Sequence, residues 1–249
     1  MRFAALLFSV TALSLHAQDK KEPPKDVPKA FFPTPLIVAP GTKAKVTIRG
    51  QKLDSVTDAK LDAEKIPFKL LGKGRKSAPP NNIPPDKFGD SEVDIELDVP
   101  KDFPPGVVEV TLVGPDGPGS PLKLTIDQRG TGEKEPNNGF DQAQELTVPA
   151  TVDGTIHRGQ DVDVFKFAGK AGEKFRLAVR AATLGSPADL ALTLYDADRR
   201  VLDSCDDFEG SPDPVLTVTL PRDGVYYLSV MESHDLGGVQ YGYRLNFTK

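Results

Sequence analysis

The chain has 249 residues, with 31 basic against 36 acidic side chains and a formal net charge of -5. That balance excludes a nucleic-acid binder resting on basic patches, and it suits bound cations. The single cysteine, Cys205, excludes an internal disulfide, so stability must come from apolar burial or from a metal.

The N-terminus reads as an export signal. Arg2 supplies the positive charge, Phe3 to Leu15 is a short apolar run, and Ala17 offers the small residue needed for cleavage. Residues 1–17 are therefore expected to be a signal peptide, directing the chain to the periplasm, the cell surface or the medium. The apolar run is too short to span a bilayer, which needs about 20 residues. No second such run follows, so no membrane span is expected. Residues 18–30 (QDKKEPPKDVPKA) are proline-rich and charged and read as an extended tether.

Residues 31–127 read as one domain of alternating strands. Val93, Ile95, Leu97 and Val99 alternate with acidic residues, and Val108, Val110 and Leu112 repeat the pattern, as do Leu122, Leu124 and Ile126. Pro/Gly-rich turns separate them, as in Pro104-Pro105-Gly106 and Gly114-Pro115-Asp116-Gly117. Strands with one polar face and short turns predict an antiparallel sandwich. Residues 72–90 form a long loop, either mobile or a recognition loop.

Residues 128–134 (QRGTGEK) are a polar boundary, and 135–249 form a second strand-rich domain. Phe175, Leu177 and Val179 alternate there, as do Leu190, Leu192 and Leu194, and Leu216, Val218 and Leu220. Phe140 to Leu146 has room for one short helical turn. The overall expectation is an all-β fold of two sandwiches, the first immunoglobulin-like and the second jelly-roll-like.

The second domain carries Glu133-Lys134-Glu135-Pro136-Asn137-Asn138 and then Asp161-Val162-Asp163-Val164-Phe165-Lys166-Phe167. Leu194-Tyr195-Asp196, Asp223-Gly224-Val225-Tyr226-Tyr227-Leu228 and Tyr243-Arg244-Leu245 follow. In this order they resemble the bacterial pre-peptidase C-terminal domain over residues 133–249. That resemblance implies a jelly-roll-like sandwich, kinship with the collagen-binding domains of clostridial collagenases, and calcium ligands at Glu133, Glu135, Asn137, Asn138, Asp161 and Asp163. The first domain resembles an IPT/TIG immunoglobulin-like module, on Ala39-Pro40-Gly41, Val46-Thr47-Ile48-Arg49-Gly50 and the two turns quoted above. That likeness implies a non-catalytic spacer or ligand-binding module.

Calcium also follows from the chemistry of the residues, because it takes six to eight oxygen ligands from mostly acidic groups. Glu133, Glu135 and Asn137 are spaced so that an extended chain points all three one way. Asp161 and Asp163 share the parity of Phe165 and Phe167, which places two carboxylates in a core-facing row. Such burial is costly unless the groups are paired or metal-bound. The residues alone leave a second reading open, in which Asn137 and Asn138 cap the helical turn and the aspartates cap backbone N–H groups.

Other groups read as structural. The acidic run Asp196, Asp198, Asp203, Asp206, Asp207, Glu209 and Asp213 fits turn chemistry and solvated charge. His157 and His234 read as surface residues and Cys205 as an inert thiol. Tyr226, Tyr227, Tyr241 and Tyr243 are ligand-contact candidates on the last two strands, although at least one of each pair fits a core position equally well. There is no HExxH, GxSxG or CxxC pattern. The expected function is that of an exported, non-catalytic binding or accessory protein, calcium-stabilised, docking on an extracellular protein or polysaccharide. The alternatives are a targeting or folding subunit of a secreted peptidase and a structural envelope spacer.

Overall fold

The computed structural model describes residues 26–80 and 83–249. The expected signal peptide and most of the tether lie outside the described residues. The first half contains strands β1 (Lys29–Thr34), β2 (Ile37–Val38), β3 (Lys43–Gln51), β4 (Asp58–Leu61), β5 (Phe68–Leu70), β6 (Arg75–Lys76), β7 (Ser91–Asp98), β8 (Gly106–Gly114), β9 (Gly117–Pro118) and β10 (Leu122–Ile126). One sheet runs β1-β3-β7-β5, with β6 also on β7. The other runs β2-β10-β8-β4, with β9 on β8.

The period-two pattern decides which face each side chain takes. Val46 and Ile48 of β3 and Val93, Ile95 and Leu97 of β7 meet Val108, Val110, Leu112, Leu124 and Ile126 of the opposing sheet in one core. Three of the outward acids of β7 are matched by bases on neighbouring strands. Lys45 and Arg75 hold Asp94, Lys43 and Lys69 hold Glu96, and Arg49 and Arg75 hold Glu92.

The second half contains β11 (Thr131–Gly132), β12 (Gln144–Glu145), β13 (Ala150–Thr155), β14 (Val162–Gly169), β15 (Lys174–Arg180), β16 (Leu190–Tyr195), β17 (Val201–Cys205), β18 (Val215–Thr219), β19 (Gly224–Glu232) and β20 (Gly242–Thr248). They form two sheets, β11-β13-β20-β15-β18 and β12-β14-β19-β16-β17. Phe175, Leu177, Leu245 and Phe247 of the first sheet pack on Phe165, Phe167, Leu192 and Leu228 of the second. Phe167 and Phe247 meet edge to face at 4.5 Å. The chain is thus all-β and built of two sandwiches. Among the described residues, no helix is long and apolar enough to cross a membrane.

Residues 72–90, expected to be a long loop, carry two short elements among the described residues, β6 and the helical turn α1 (Pro85–Phe88). Phe88 is buried between the two sandwiches, its ring 6.0 Å from Tyr241 and 5.4 Å from Phe32, with the Arg49 guanidinium 4.8 Å from its centroid. Apolar burial of this aromatic explains why the loop is tied down. The segment joining the sandwiches is also fixed. β11 pairs in parallel with β13, Gly130 donates its N–H to Asp153, and Arg244 donates to the Gln128 carbonyl at 2.8 Å.

Candidate metal centre

The linker strand and the head of β14 converge where the pairing of β13 with β20 ends. Glu133 follows β11, and its backbone N–H donates to the Asp153 carbonyl. Its Oε1 accepts the N–H of Thr155 at 2.8 Å. Two residues on, Glu135 accepts the N–H of Asn137 at 3.0 Å, and the Asn137 carbonyl accepts the N–H of Val164 at 2.9 Å. That last bond seats the linker beside β14 and brings Asn137 next to Asp163.

Asp163 takes the core-facing parity expected of it and is 0% exposed; Asp161 is 4% exposed and Asn137 0%. Tyr243 of β20 donates its hydroxyl to Asp163 Oδ2 at 2.6 Å and lies 3.4 Å from Glu133 Oε2. Asp161 Oδ2 accepts the N–H of His157 at 2.7 Å. Gly154 makes room for the cluster, since a Cβ there would stand 2.6 Å from Glu133 Oε2 and would run into the Tyr243 ring.

Electrostatics push these carboxyls towards their neutral forms. Burial, then the charge of Asp163 and a hydrogen bond shared with it, raises Glu133 to about 9. Burial raises Asp163 to about 6, against hydrogen bonds from Tyr243 and Glu133 that pull it down. Burial, then the Asp163 charge, holds the Tyr243 phenol well above its ordinary range. These are the signs of a crowded, poorly hydrated acidic site.

Three buried polar atoms have no hydrogen-bond partner among the described residues: Oδ1 and Nδ2 of Asn137, and Oδ1 of Asp163. A buried, unpaired amide or carboxylate oxygen carries a desolvation cost of about 1–3 kcal/mol. A hard cation accepting oxygen ligands would remove that cost for both oxygens and would neutralise the acids at the same time. Glu133, Asn137, Asp161 and Asp163 supply oxygen donors of the type calcium takes.

Not every expected ligand is brought in. Asn138 is exposed and its side chain makes no hydrogen bond among the described residues, because the chain turns outward after Asn137 docks on β14. Nor do the asparagines cap the short helical turn at Phe140–Gln142, where Gly139 stands at the N-cap without a side-chain bond. Glu135 stays at the rim. His157 is on the surface but not idle. Its Nδ1 lies 3.3 Å from Glu135, 3.7 Å from Asp161 and 3.7 Å from Glu133. Glu135, His157 and Asp161 bring one donor atom each within 4.8 Å of one another. Sequence reading missed His157 because Gly159-Gln160 turns the chain back, and Gln160 holds a positive φ that spacing does not announce.

The tyrosines are a correction. Tyr226, Tyr241 and Tyr243 are buried, with Tyr226 donating to the Arg222 carbonyl at 2.6 Å, so they are core residues rather than ligand contacts. Their apolar rings fill the sandwich, and the hydroxyls of Tyr226 and Tyr243 donate to the Arg222 carbonyl and to Asp163. Tyr227 is half-buried, edge-on to Phe140 at 5.1 Å.

The family model of the bacterial pre-peptidase C-terminal domain matches residues 161–231. A probable subtilase-type serine protease of Deinococcus radiodurans is 35% identical over 112 residues, which is 44% of this chain and 15% of that protein. The chain thus spans only a small part of that relative. Among solved structures, the pre-peptidase C-terminal domain of a Bacillus anthracis collagenase aligns over 43% of this chain and 94% of its own, at 17% identity and a TM-score of 0.36. The periplasmic g-type lysozyme inhibitor PliG of Salmonella Typhimurium aligns over 43% and 96%, at 18% identity and a TM-score of 0.30. Residues 161–231, from the buried aspartate before β14 to the end of β19, carry a bacterial pre-peptidase C-terminal domain.

Proposed function

We propose that the chain is an exported, non-catalytic binding module that docks on an extracellular protein or polysaccharide, with a calcium ion fastening the linker to the second sandwich. The observation that carries this reading is the orphaned oxygen pair of Asn137 and Asp163 beside the Glu133 carboxyl. Glu133, Asn137, Asp161 and Asp163 would hold the ion, and Glu135 and His157 stand at its entrance. Calcium would supply charge neutralisation and a cross-link between the interdomain segment and β14. Export fits the apolar N-terminal run and the kinship of residues 161–231 with a module of secreted peptidases.

The test is titration calorimetry of the chelator-stripped protein with calcium, followed by sedimentation with insoluble collagen and with insoluble polysaccharides, with and without the ion. Calcium uptake at one site and calcium-dependent retention on one of these surfaces support the reading. Absence of both overturns it. The likeness to part of a subtilase-type protease also favours a second reading, service to a secreted peptidase made as a separate chain. Co-purification with one protease at fixed stoichiometry would select it.

A further inference from the structure

The outer face of β15 carries a cationic row unlike any on the first sandwich. Lys174, Arg176, Ala178 and Arg180 point outward, while Phe175, Leu177 and Val179 fill the core. On the first sandwich Lys43, Lys45, Lys69 and Arg75 all sit on acids of β7. On β15 neither Arg176 nor Arg180 enters an ion pair among the described residues, whereas the neighbouring Arg244 is fully engaged by Asp153 and Asp127. Two unpaired guanidiniums four residues apart on one strand are about 13 Å apart at their Cα atoms.

Between them lies a shallow cleft of about 310 Å³ over the small Ala178. The cross-strand neighbour of Ala178 on β20 is Asn246. Its Oδ1 accepts the Thr151 hydroxyl at 3.3 Å, and its amide nitrogen has no acceptor among the described residues. The carboxylate lining the cleft, Asp213, is occupied. Its two oxygens accept the N–H groups of Ala181, Ala182 and Thr183 and the Thr183 hydroxyl. Asp206, Asp207 and Glu209 flank Phe208 in sequence, but none of them lines the cleft.

One rim is Phe208, an aromatic left 37% exposed. It is held in place, because Phe208 and Ser211 exchange both backbone hydrogen bonds at 2.9 Å around Glu209 and Gly210. Both turn residues have positive φ, 52° and 78°, as a tight two-residue hairpin requires. The aromatic is thus presented rigidly, which limits the entropy lost on binding.

We infer that this cleft binds an anionic, carboxylate-bearing polysaccharide, with Arg176 and Arg180 each pairing a uronate-type carboxylate, Phe208 lying against a sugar ring and the Asn246 amide donating to a hydroxyl. Guanidinium forks match carboxylates in two parallel hydrogen bonds. An acidic polypeptide suits the face less well. β15 is already paired on both sides, by β18 and β20, so an added strand would find no free backbone ladder. This inference rests on the docking function proposed above and names its ligand class. It does not involve the cation site.

The test is affinity electrophoresis and titration calorimetry of the full exported chain with polygalacturonate, dextran and poly-glutamate. The variants are Arg176→Gln, Arg180→Gln and their double, with Lys123→Gln as a control on the first sandwich. The expected result is polygalacturonate binding weakened about tenfold by each arginine substitution, the loss of one charge-assisted pair. The melting temperature and the control should be unchanged. Polygalacturonate binding that survives the double variant overturns the cleft but leaves the docking function standing. Poly-glutamate bound as tightly as polygalacturonate, and equally weakened by the double variant, overturns the polysaccharide assignment. A parent chain retained on none of these polymers overturns the inference, and failure also on collagen and neutral polysaccharides overturns the docking function itself.

Discussion

The Tyr243 hydroxyl donates to Asp163 Oδ2 at 2.6 Å from the adjoining sheet, and the other oxygen of that carboxylate is buried without a partner. One side of Asp163 is thus anchored and the other has no partner among the described residues. Asp163→Asn should therefore act in opposite directions in the two states. With chelator the variant keeps or gains stability, because a buried carboxyl is replaced by a neutral amide of the same shape. With calcium at a hundredfold excess over its dissociation constant, the parent gains about 2.7 kcal/mol by mass action, and the variant gains little. Paired urea melts check this. An equal loss with and without calcium would make Asp163 a purely structural residue.

Stability should also depend on pH in a direction set by the raised carboxyls. Glu133 moves from 4.5 to about 9 on folding, and Asp163 from 3.8 to about 6. A raised folded value means that the native state holds protons the unfolded chain has released. The contribution is complete below the unfolded value and is lost as pH climbs through the folded one. The metal-free protein should thus weaken from about pH 4.5 towards pH 9. Glu133→Gln should flatten that slope, and saturating calcium should remove it. Urea midpoints at pH 5, 7 and 9 decide the matter.

Arg244 is buried and makes four hydrogen bonds, two to Asp153, one to Asp127 and one to the Gln128 carbonyl. Arg244→Ala leaves the half-buried Asp153 with only the Gly130 N–H, which should cost about 1–3 kcal/mol. Asp127→Asn removes one charge at a more open position and should cost about 1 kcal/mol. Limited proteolysis should cut the Arg244 variant between residues 128 and 132 faster than the parent, because the linker has lost its tie.

Phe88 belongs by sequence to the first sandwich and by packing to the core of the second. Phe88→Ala should cost about 3–5 kcal/mol for the lost aromatic and its cavity. It should also uncouple the two sandwiches. Scanning calorimetry is expected to show one transition in the parent and two in the variant. A single transition at lower temperature would mean that other contacts carry the coupling.

The alternating apolar positions of β7, β8, β10, β15 and β16 determined the strands, their buried faces and the all-β class, because a period of two leaves a half-buried strand no other way to hide its side chains. The same parity placed Asp163 in the core-facing row. Contacts distant in sequence were settled only by the tertiary structure. Tyr243 lies 80 residues from Asp163, and His157 joins Glu135 through a turn that brings its ring back over the linker. Asn138 follows Asn137 directly yet faces outward, since docking on β14 fixes one residue and releases the next. The tyrosines of the last strands carried both an apolar body and a polar tip, and only the closing of one sheet on the other decided that three of them lie inside. The unpaired state of Arg176 and Arg180 is of the same kind. The sequence holds more acids than bases, and only the strand order shows that no acid among the described residues pairs with either arginine.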